Sequence, residues 1–432
     1  MDIEIYHSPI LTGTIRAPPS KSYTHRAVIM GALAAGTSTI REALIGDDTE
    51  ASIKAMRALG AEISSEKDKI IIIGIKKFRI PDEPINAENS GTTIRFMTAL
   101  AAHVPGTIKL TGDSSLQKRP MEPLLDALSQ LGVKCWSEKN DGTPPIVVQG
   151  GKLRGGHIKI PGNISSQFIS GLLISSPLAQ SEVTIELTTE LKSTPYLAIT
   201  SYMLDKFKIK HAYDFQHHMF RIPGRQTYQP LRDFTVPGDY SSAAFFLVAA
   251  ALLEGEISIS NLNMDDPQGD KQILEILKEV GAKISLKPEK KMVTASKGSL
   301  KPFEIDCSDI PDLVPILAVL ASFIPGTSKL FNAAHLRLKE SDRLHTITTE
   351  LLKMGVDIQE LADALVINGH PVHKSAVLET YNDHRIAMAL TIAALPLKET
   401  SCIRNAECIR VSYPHFLEDL KKLGGNFQVI NA

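Results

Sequence analysis

The stretch "AMRALGAEI", Ala55–Ile63, reads as the last turn of an amphipathic helix, a Leu-Gly stop and the start of a β-strand. Glycine in that position is the usual left-handed cap that ends a helix. The same grammar returns as "ALSQLGVKC" (127–135), "ILKEVGAKI" (276–284), "LLKMGVDI" (351–358) and "LKKLGGNF" (420–427). One further copy, "MLDKFKIKHAY" (203–213), carries Lys208 where the glycine belongs, so a weaker cap is expected there. The six copies recur about every 70 residues, and a fixed period is the first thing to settle in a long chain.

A second pattern runs in phase with the first: a short strand, a polar loop, then an apolar helix. Its copies are "TIRAPPSKSYTHRAVIM" (14–30), "EPINAENSGTTIRFMTAL" (83–100), "HIKIPGNISSQFISGLL" (157–173), "FTVPGDYSSAAFFLVAA" (234–250), "FEIDCSDIPDLVPILAV" (303–319) and "VLETYNDHRIAMALTIA" (377–393). Each loop places Ser, Asn, Asp, Gly or Pro just before the apolar run, which is the chemistry of a helix start. Each repeat therefore holds two helices and several strands. That is larger than a solenoid repeat and reads as a small α/β subdomain. Six of them in 432 residues give two domains of three repeats.

Composition narrows the function. The formal net charge is −1, with no long basic block, which disfavours a nucleic-acid partner. The start, "MDIEIYHSPI", alternates like a strand and lacks the basic and apolar regions of a signal peptide. "AAFFLVAAALL" (243–253) is too short to span a bilayer and reads as a buried helix, so no membrane association is expected. None of the four cysteines has C-x-x-C spacing, which speaks against a disulfide framework or zinc ribbon. His370 and His373 flank Pro371 in a loop-like stretch, a poor metal site. A cytoplasmic enzyme without metal is the expectation.

The polar residues that stand out fall at one place in each repeat, the loop entering the first helix. They are Lys21, Ser22 and Arg26; Asn89, Gly91 and Arg95; Ser165, Ser166 and Gln167; Asp239, Ser241 and Ser242; Asp309 and Asp312; and Asn382, Asp383, His384 and Arg385. Helix N-termini present unpaired N–H groups and a partial positive charge, so they attract anions. Lys or Arg in a first turn opposes that dipole, a local conflict expected where function overrides stability. Two more clusters lie elsewhere: "SSLQKRPM" with Lys118 and Arg119, and "LRLKESDRLH" with Arg337, Lys339, Glu340, Asp342 and Arg343. Singly, each residue would pass as a cap or a solvated charge. Concentrated basic residues in a chain of near-zero net charge point to small, highly anionic ligands. No Walker A loop and no G-x-G-x-x-G fingerprint is present.

"SKSYTHRA", "NSGTTIRF", "KRPM", "SSQF", "KESDRL" and "YNDHRIAMA" occur in this order, from residue 20 to residue 389. Together they closely resemble the enolpyruvylshikimate-3-phosphate synthase family. The resemblance implies an α/β (α+β) fold of two globular domains, each of three βαβαββ units in an inside-out α/β barrel. It places domain 1 at 1–19 plus 237–432, domain 2 at 20–236, and the active site in a closing interdomain cleft. It implies transfer of the enolpyruvyl group of phosphoenolpyruvate to the 5-hydroxyl of shikimate 3-phosphate, in aromatic amino acid biosynthesis, by a monomer without cofactor. Lys21, Ser22, Arg26, Ser165, Ser166, Gln167, Ser193, Asp312, His335 and Lys339 would hold shikimate 3-phosphate. Lys21, Asn89, Gly91, Arg119, Gln167, Arg343 and Arg385 would hold phosphoenolpyruvate. Asp312 is the candidate base and Glu340 the candidate acid, with Lys21 and His384 as partners in proton movement.

Three positions depart from the family pattern, one of them Phe96, which follows Arg95 where the family often has proline or leucine. Val411, in "RVSYP", stands where the resemblance implies a lysine, with Arg410 beside it. His335 stands where many members have asparagine. A related transferase acting on a uridine-diphosphate sugar is the nearest alternative, but its loop cysteine has no counterpart between Leu110 and Pro120. A non-catalytic polyanion-binding repeat protein is the alternative of another class, and it would have no use for Asp312 and Glu340.

Overall fold

The computed structural model describes residues 1–66, 68–151 and 153–431. The chain divides into two compact units: domain 1, Met1–Pro18 with Pro237–Ala432, and domain 2, Pro19–Val236. Each has its own apolar core.

Among the described residues twelve α-helices come in pairs, two per repeat. In domain 2 they are α1 (Lys21–Leu33) and α2 (Asp47–Ala58), α3 (Gly91–Ala101) and α4 (Glu122–Gln130), α5 (Ser166–Ser175) and α6 (Thr194–Lys206). In domain 1 they are α7 (Tyr240–Leu252) and α8 (Ile273–Val280), α9 (Val314–Ser322) and α10 (Arg343–Lys353), α11 (His384–Ala394) and α12 (Phe416–Lys422). The first helix of each pair is buried along most of its length, as a predominantly apolar helix must be. Every residue of α9 and α11 is buried, and α7, α9 and α11 pack against one another. The second helices are amphipathic: α8 buries Ile273, Leu274, Ile276, Leu277 and Val280 and leaves Glu275 and Lys278 in solvent.

Among the described residues six four-stranded sheets flank these helices, and all share one order. In the sheet of the second repeat, Ile85–Asn86 runs parallel to Thr107–Thr111, which pairs antiparallel with Ile146–Gln149, and that strand with Lys134–Ser137. A parallel pair needs a crossover, and the buried first helix supplies it.

At two places the strand written before a helix belongs to a different repeat. Gly13–Arg16 precedes α1 in sequence but pairs with Glu256–Ser260, in the repeat of α7. Phe234–Thr235 precedes α7 but pairs with Thr37–Arg41, in the repeat of α1. The sequence pattern assigns these strands by adjacency. The structure exchanges them because the chain passes from one domain to the other at Pro18–Pro19 and Val236–Pro237, between strand and helix. The N-terminal strand Asp2–Ile5 lies between Ser401–Arg404 and Phe427–Ile430, filling the last sheet.

The stop positions all adopt the left-handed conformation: φ is 109° at Gly60, 78° at Gly132, 105° at Gly281, 82° at Gly355 and 98° at Gly424. Lys208 does the same with φ 61°, so the third repeat keeps the turn and bears the strain of a side chain there.

Candidate functional site

In domain 2, the candidate residues gather around the N-termini of α1, α3 and α5. Ser90 caps α3 by accepting from Thr93 N–H at 3.2 Å, and Ser165 caps α5 by accepting from Gln167 N–H at 3.3 Å. Ser20, before α1, makes no such bond, and its hydroxyl is buried without a hydrogen-bond partner among the described residues. The helix therefore begins directly on Lys21, whose ammonium pairs with Asp48 of α2 at 2.9 Å.

Gly91 opens α3 at the meeting point of two guanidinium groups. A Cβ there would lie 3.0 Å from Nη1 of Arg119, 3.3 Å from Nη1 of Arg95 and 3.4 Å from Oε1 of Gln167. Arg119 donates to Oδ1 of Asn89 at 2.9 Å, and Asn89 donates to Asp113 at 2.6 Å. Arg95 donates to the Gln167 carbonyl and to Ser165 Oγ at 3.4 Å, with its guanidinium 4.9 Å from the Phe168 ring centroid. Gln167 in turn donates to Thr92 Oγ1 at 2.9 Å. Asn89, Gly91, Arg119, Ser165 and Gln167 are thus one constellation. Arg95, singled out by its position in the loop, is its second cation.

Arg26 lies deeper. Its guanidinium donates to Thr200 Oγ1 (2.8 Å), Ser22 O (2.9 Å), Tyr196 O (3.1 Å) and Ser170 Oγ (3.3 Å). These acceptors are neutral, and burial lowers its pKa to about 10. Arg26 ties α1 to α5 and α6 and leaves a positive charge beneath the helix N-termini. Ser193 caps nothing with its side chain and sits in the left-handed region, φ 57°, at the head of α6. Ser166 is the buried first residue of α5.

In domain 1 the centre is Arg343, the first residue of α10 and only 1% exposed. Nη1 pairs with Asp312 at 2.6 Å, Nη2 with Glu340 at 2.8 Å, and Nε with Asp383 at 2.9 Å. Asp383 also caps α11, accepting from Arg385 N–H at 2.9 Å, and accepts from Ser341 Oγ at 3.0 Å. The Arg385 side chain reaches Asp312 at 3.4 Å. Asp312, in a 3-10 turn before α9, is 20% exposed and faces both guanidiniums. Burial alone would raise its pKa, but Arg385, Arg343 and Lys339 hold the carboxyl well below the usual range. The same three carboxylates hold the Arg343 guanidinium firmly charged against the effect of burial.

The remaining candidates lie on neighbouring segments. His335 is in the 3-10 turn Ala334–Leu338, Lys339 follows that turn, and His384 is the buried first residue of α11. At the departing position, Val411 is half-buried and Arg410 is exposed. Asp48 carries no signal in the sequence pattern, and Asp383, singled out at its helix entrance, is given no role in the site by that pattern. The "ND" before "HR" signals a helix cap, but no spacing tells that the same carboxylate also grips Arg343.

Among the described residues no three His, Cys, Asp or Glu side chains gather as a metal ion would require, and no helix is long and apolar enough to cross a membrane. Each domain thus presents buried cations at helix N-termini, and domain 1 adds a carboxylate pair beside them. Such an arrangement can bind anions and move protons in the same place.

Residues 6–420 match the family model for EPSP synthase (3-phosphoshikimate 1-carboxyvinyltransferase). The chain is 46% identical to the 3-phosphoshikimate 1-carboxyvinyltransferase of Methanocaldococcus jannaschii, over 97% of each chain. It is also 46% identical to that of Methanosarcina mazei, again over 97% of each. Among solved structures it resembles EPSP synthase from Acinetobacter baumannii, with a TM-score of 0.82 and 28% identity over 100% of both chains. The enolpyruvyl transferase NikO from Streptomyces tendae shares the fold, with a TM-score of 0.80 at 19% identity over 100% of this chain and 99% of that one. On its sequence, its fold and the order of its motifs, the chain belongs to the EPSP synthase (3-phosphoshikimate 1-carboxyvinyltransferase) family.

Proposed function

We infer that the chain transfers the enolpyruvyl group of phosphoenolpyruvate to the 5-hydroxyl of shikimate 3-phosphate and releases phosphate. Both substrates are small polyanions, and the two sets of helix-entrance cations serve that one pair. The observation that carries the assignment of roles is Asp312, an ionised carboxylate set between Arg343 and Arg385 with Glu340 on the same arginine.

A secondary hydroxyl is a weak nucleophile, so a base must take its proton as the new bond forms. Asp312 has that role. Without substrate it is a weak base, because Arg385, Arg343 and Lys339 stabilise its charge. An anion bound by the arginines draws on the same positive charge and raises the proton affinity of Asp312, so substrate binding arms the base. Glu340 delivers a proton to C3 of phosphoenolpyruvate, which makes C2 open to attack by the 5-oxygen. The tetrahedral adduct then loses phosphate from C2, with the proton held by Asp312 going to that phosphate, and gives a proton from C3 back to Glu340. This forms the enol ether and resets both carboxyl groups. Arg119, Gln167 and the N-terminus of α3 at Gly91 bind phosphoenolpyruvate, with Arg385 as a further cation for the same substrate. Ser165, Ser166, Ser193, Ser22 and Lys21 bind shikimate 3-phosphate, with the charge of Arg26 behind them. His335, Lys339 and His384 complete the set. In this reading Arg343 is shared: it holds Asp312 and Glu340 in place and exchanges one carboxylate for the incoming anion.

The test is phosphate release from purified protein supplied with both substrates. Release that requires shikimate 3-phosphate supports the reading. A folded protein that releases none, or that releases phosphate only with a uridine-diphosphate sugar, refutes it.

A further inference from the structure

Asp270 is a buried carboxylate with half of its hydrogen-bonding capacity unused. It sits in the short turn Gly269–Gln272 that leads into α8 and is 3% exposed. Oδ2 accepts from the hydroxyl of Ser241 on α7, while Oδ1 has no hydrogen-bond partner among the described residues. Buried polar atoms are nearly always satisfied, so a bare oxygen calls for a reason.

The surroundings supply one. Asp312, before α9, Arg385, on α11, and Asp239, the cap of α7, all act on Asp270 electrostatically. The Arg385 guanidinium carbon lies 5.9 Å from the ring centroid of Phe245, one helical turn beyond Ser241 on α7. Other charges nearby are engaged elsewhere. Lys271 donates to Met264 O and Asp266 O, both at 2.8 Å. Asp266 accepts from Gln268 N–H at 3.0 Å, and on α8 Glu275 and Lys278 pair at the surface. Asp270 and Asp312 are therefore two carboxylates competing for the charge of Arg385.

We propose that Asp270 is a positioning residue for the transfer reaction, protonated in the working enzyme so that the charge of Arg385 stays undivided for Asp312 and phosphoenolpyruvate. Ionisation of Asp270 then weakens phosphoenolpyruvate binding. Burial, followed by the charge of Asp312, pushes its carboxyl up to about 7, against the opposing effects of Ser241 and Arg385. Below that pH the group is neutral; above it, a second negative charge faces Arg385. The inference rests on the roles given to Asp312 and Arg385 above.

The test compares KM and kcat between about pH 6 and about pH 9 for the wild type, Asp270→Asn and Ser241→Ala. In the wild type, KM for phosphoenolpyruvate should rise about tenfold across the upper half of that range, the scale of one pKa unit of interaction. Asp270→Asn, which cannot ionise, should flatten the rise. Ser241→Ala removes the hydrogen bond that favours the carboxylate and should move the rise to higher pH. Ionisation of the substrate phosphate is common to all three proteins and cancels in their ratios. A merely structural residue would shift all pH values alike. Three superimposed profiles from active proteins overturn this inference and leave the proposed function standing; an inactive wild type overturns both. If Asp270→Asn fails to fold, Ser241→Ala and a carbon NMR titration of the wild type still decide, because an Asp270 midpoint below about pH 5 overturns the proposal.

Discussion

Gly91→Ala separates the binding of phosphoenolpyruvate from the stability of the fold. Gly91 is the first residue of α3 and is not among the residues with positive φ, so alanine meets no backbone strain there. Alanine is the better helix former, by about 1 kcal/mol in a helix interior, so the fold should lose nothing from propensity. The methyl group, however, would lie 3.0 Å from Arg119 Nη1 and 3.3 Å from Arg95 Nη1, inside the roughly 3.5 Å of an ordinary contact. Arg119 is tethered to Asn89 at 2.9 Å, and Asn89 to Asp113 at 2.6 Å, so the guanidinium cannot retreat without breaking that chain. The methyl also occupies the approach to the N-terminus of α3. Loss of one charge-assisted hydrogen bond costs about 1.5–3 kcal/mol, or about 10- to 100-fold in kcat/KM for phosphoenolpyruvate. Phosphate release measured with each substrate varied in turn gives both constants, and thermal unfolding checks the fold. KM for shikimate 3-phosphate should change less. If kcat/KM for phosphoenolpyruvate stays within about threefold of the wild type, or if both substrates suffer equally, the cradle at Gly91 is wrongly assigned.

Three other expectations follow from the same geometry. Asp312→Asn should lower kcat by about 10²- to 10⁴-fold in the phosphate-release assay, the usual worth of a general base. Because the Asp312 carboxyl sits well below its ordinary value of 3.8, its stabilising contribution is present above 3.8 and lost as pH falls through the lower folded-state value. The stability gap between Asp312→Asn and wild type in urea titrations should accordingly close on acidification, and a gap that widens would contradict the charge assignment. Arg343→Leu strands three carboxylates in a buried site and should destabilise domain 1 by about 3–5 kcal/mol, read by urea unfolding; a loss under about 1 kcal/mol would show that the cluster reorganises freely. Lys208→Gly relieves the left-handed residue that ends α6 and should stabilise the protein by about 1 kcal/mol without touching activity, whereas destabilisation would mean that the lysine side chain is itself a needed contact.

Much of this protein was legible in its sequence because the relevant physics is local. A helix stop needs a residue that tolerates positive φ, so Gly60, Gly132, Gly281, Gly355 and Gly424 marked the repeats, and the odd Lys208 turned out to adopt the same conformation. An apolar helix must be buried, so runs such as "AAFFLVAAALL" announced the interior of each domain. The helix entrances concentrated Lys21, Gly91, Gln167, Asp312 and Arg385, and motif order tied them to a family. What only the tertiary structure decided depends on residues far apart in the chain. Adjacency joins Gly13–Arg16 to α1 and Phe234–Thr235 to α7; the domain bounds implied by the family resemblance already part them, and backbone pairing decides which strand each one joins. Asp48 meets Lys21, Asp383 meets Arg343 and Asp270 meets Ser241 because packed helices bring their first turns together. A charge carries no mark in the sequence of the partner it will find. That partner is set by which surfaces pack, and with it the proton affinity of each carboxylate.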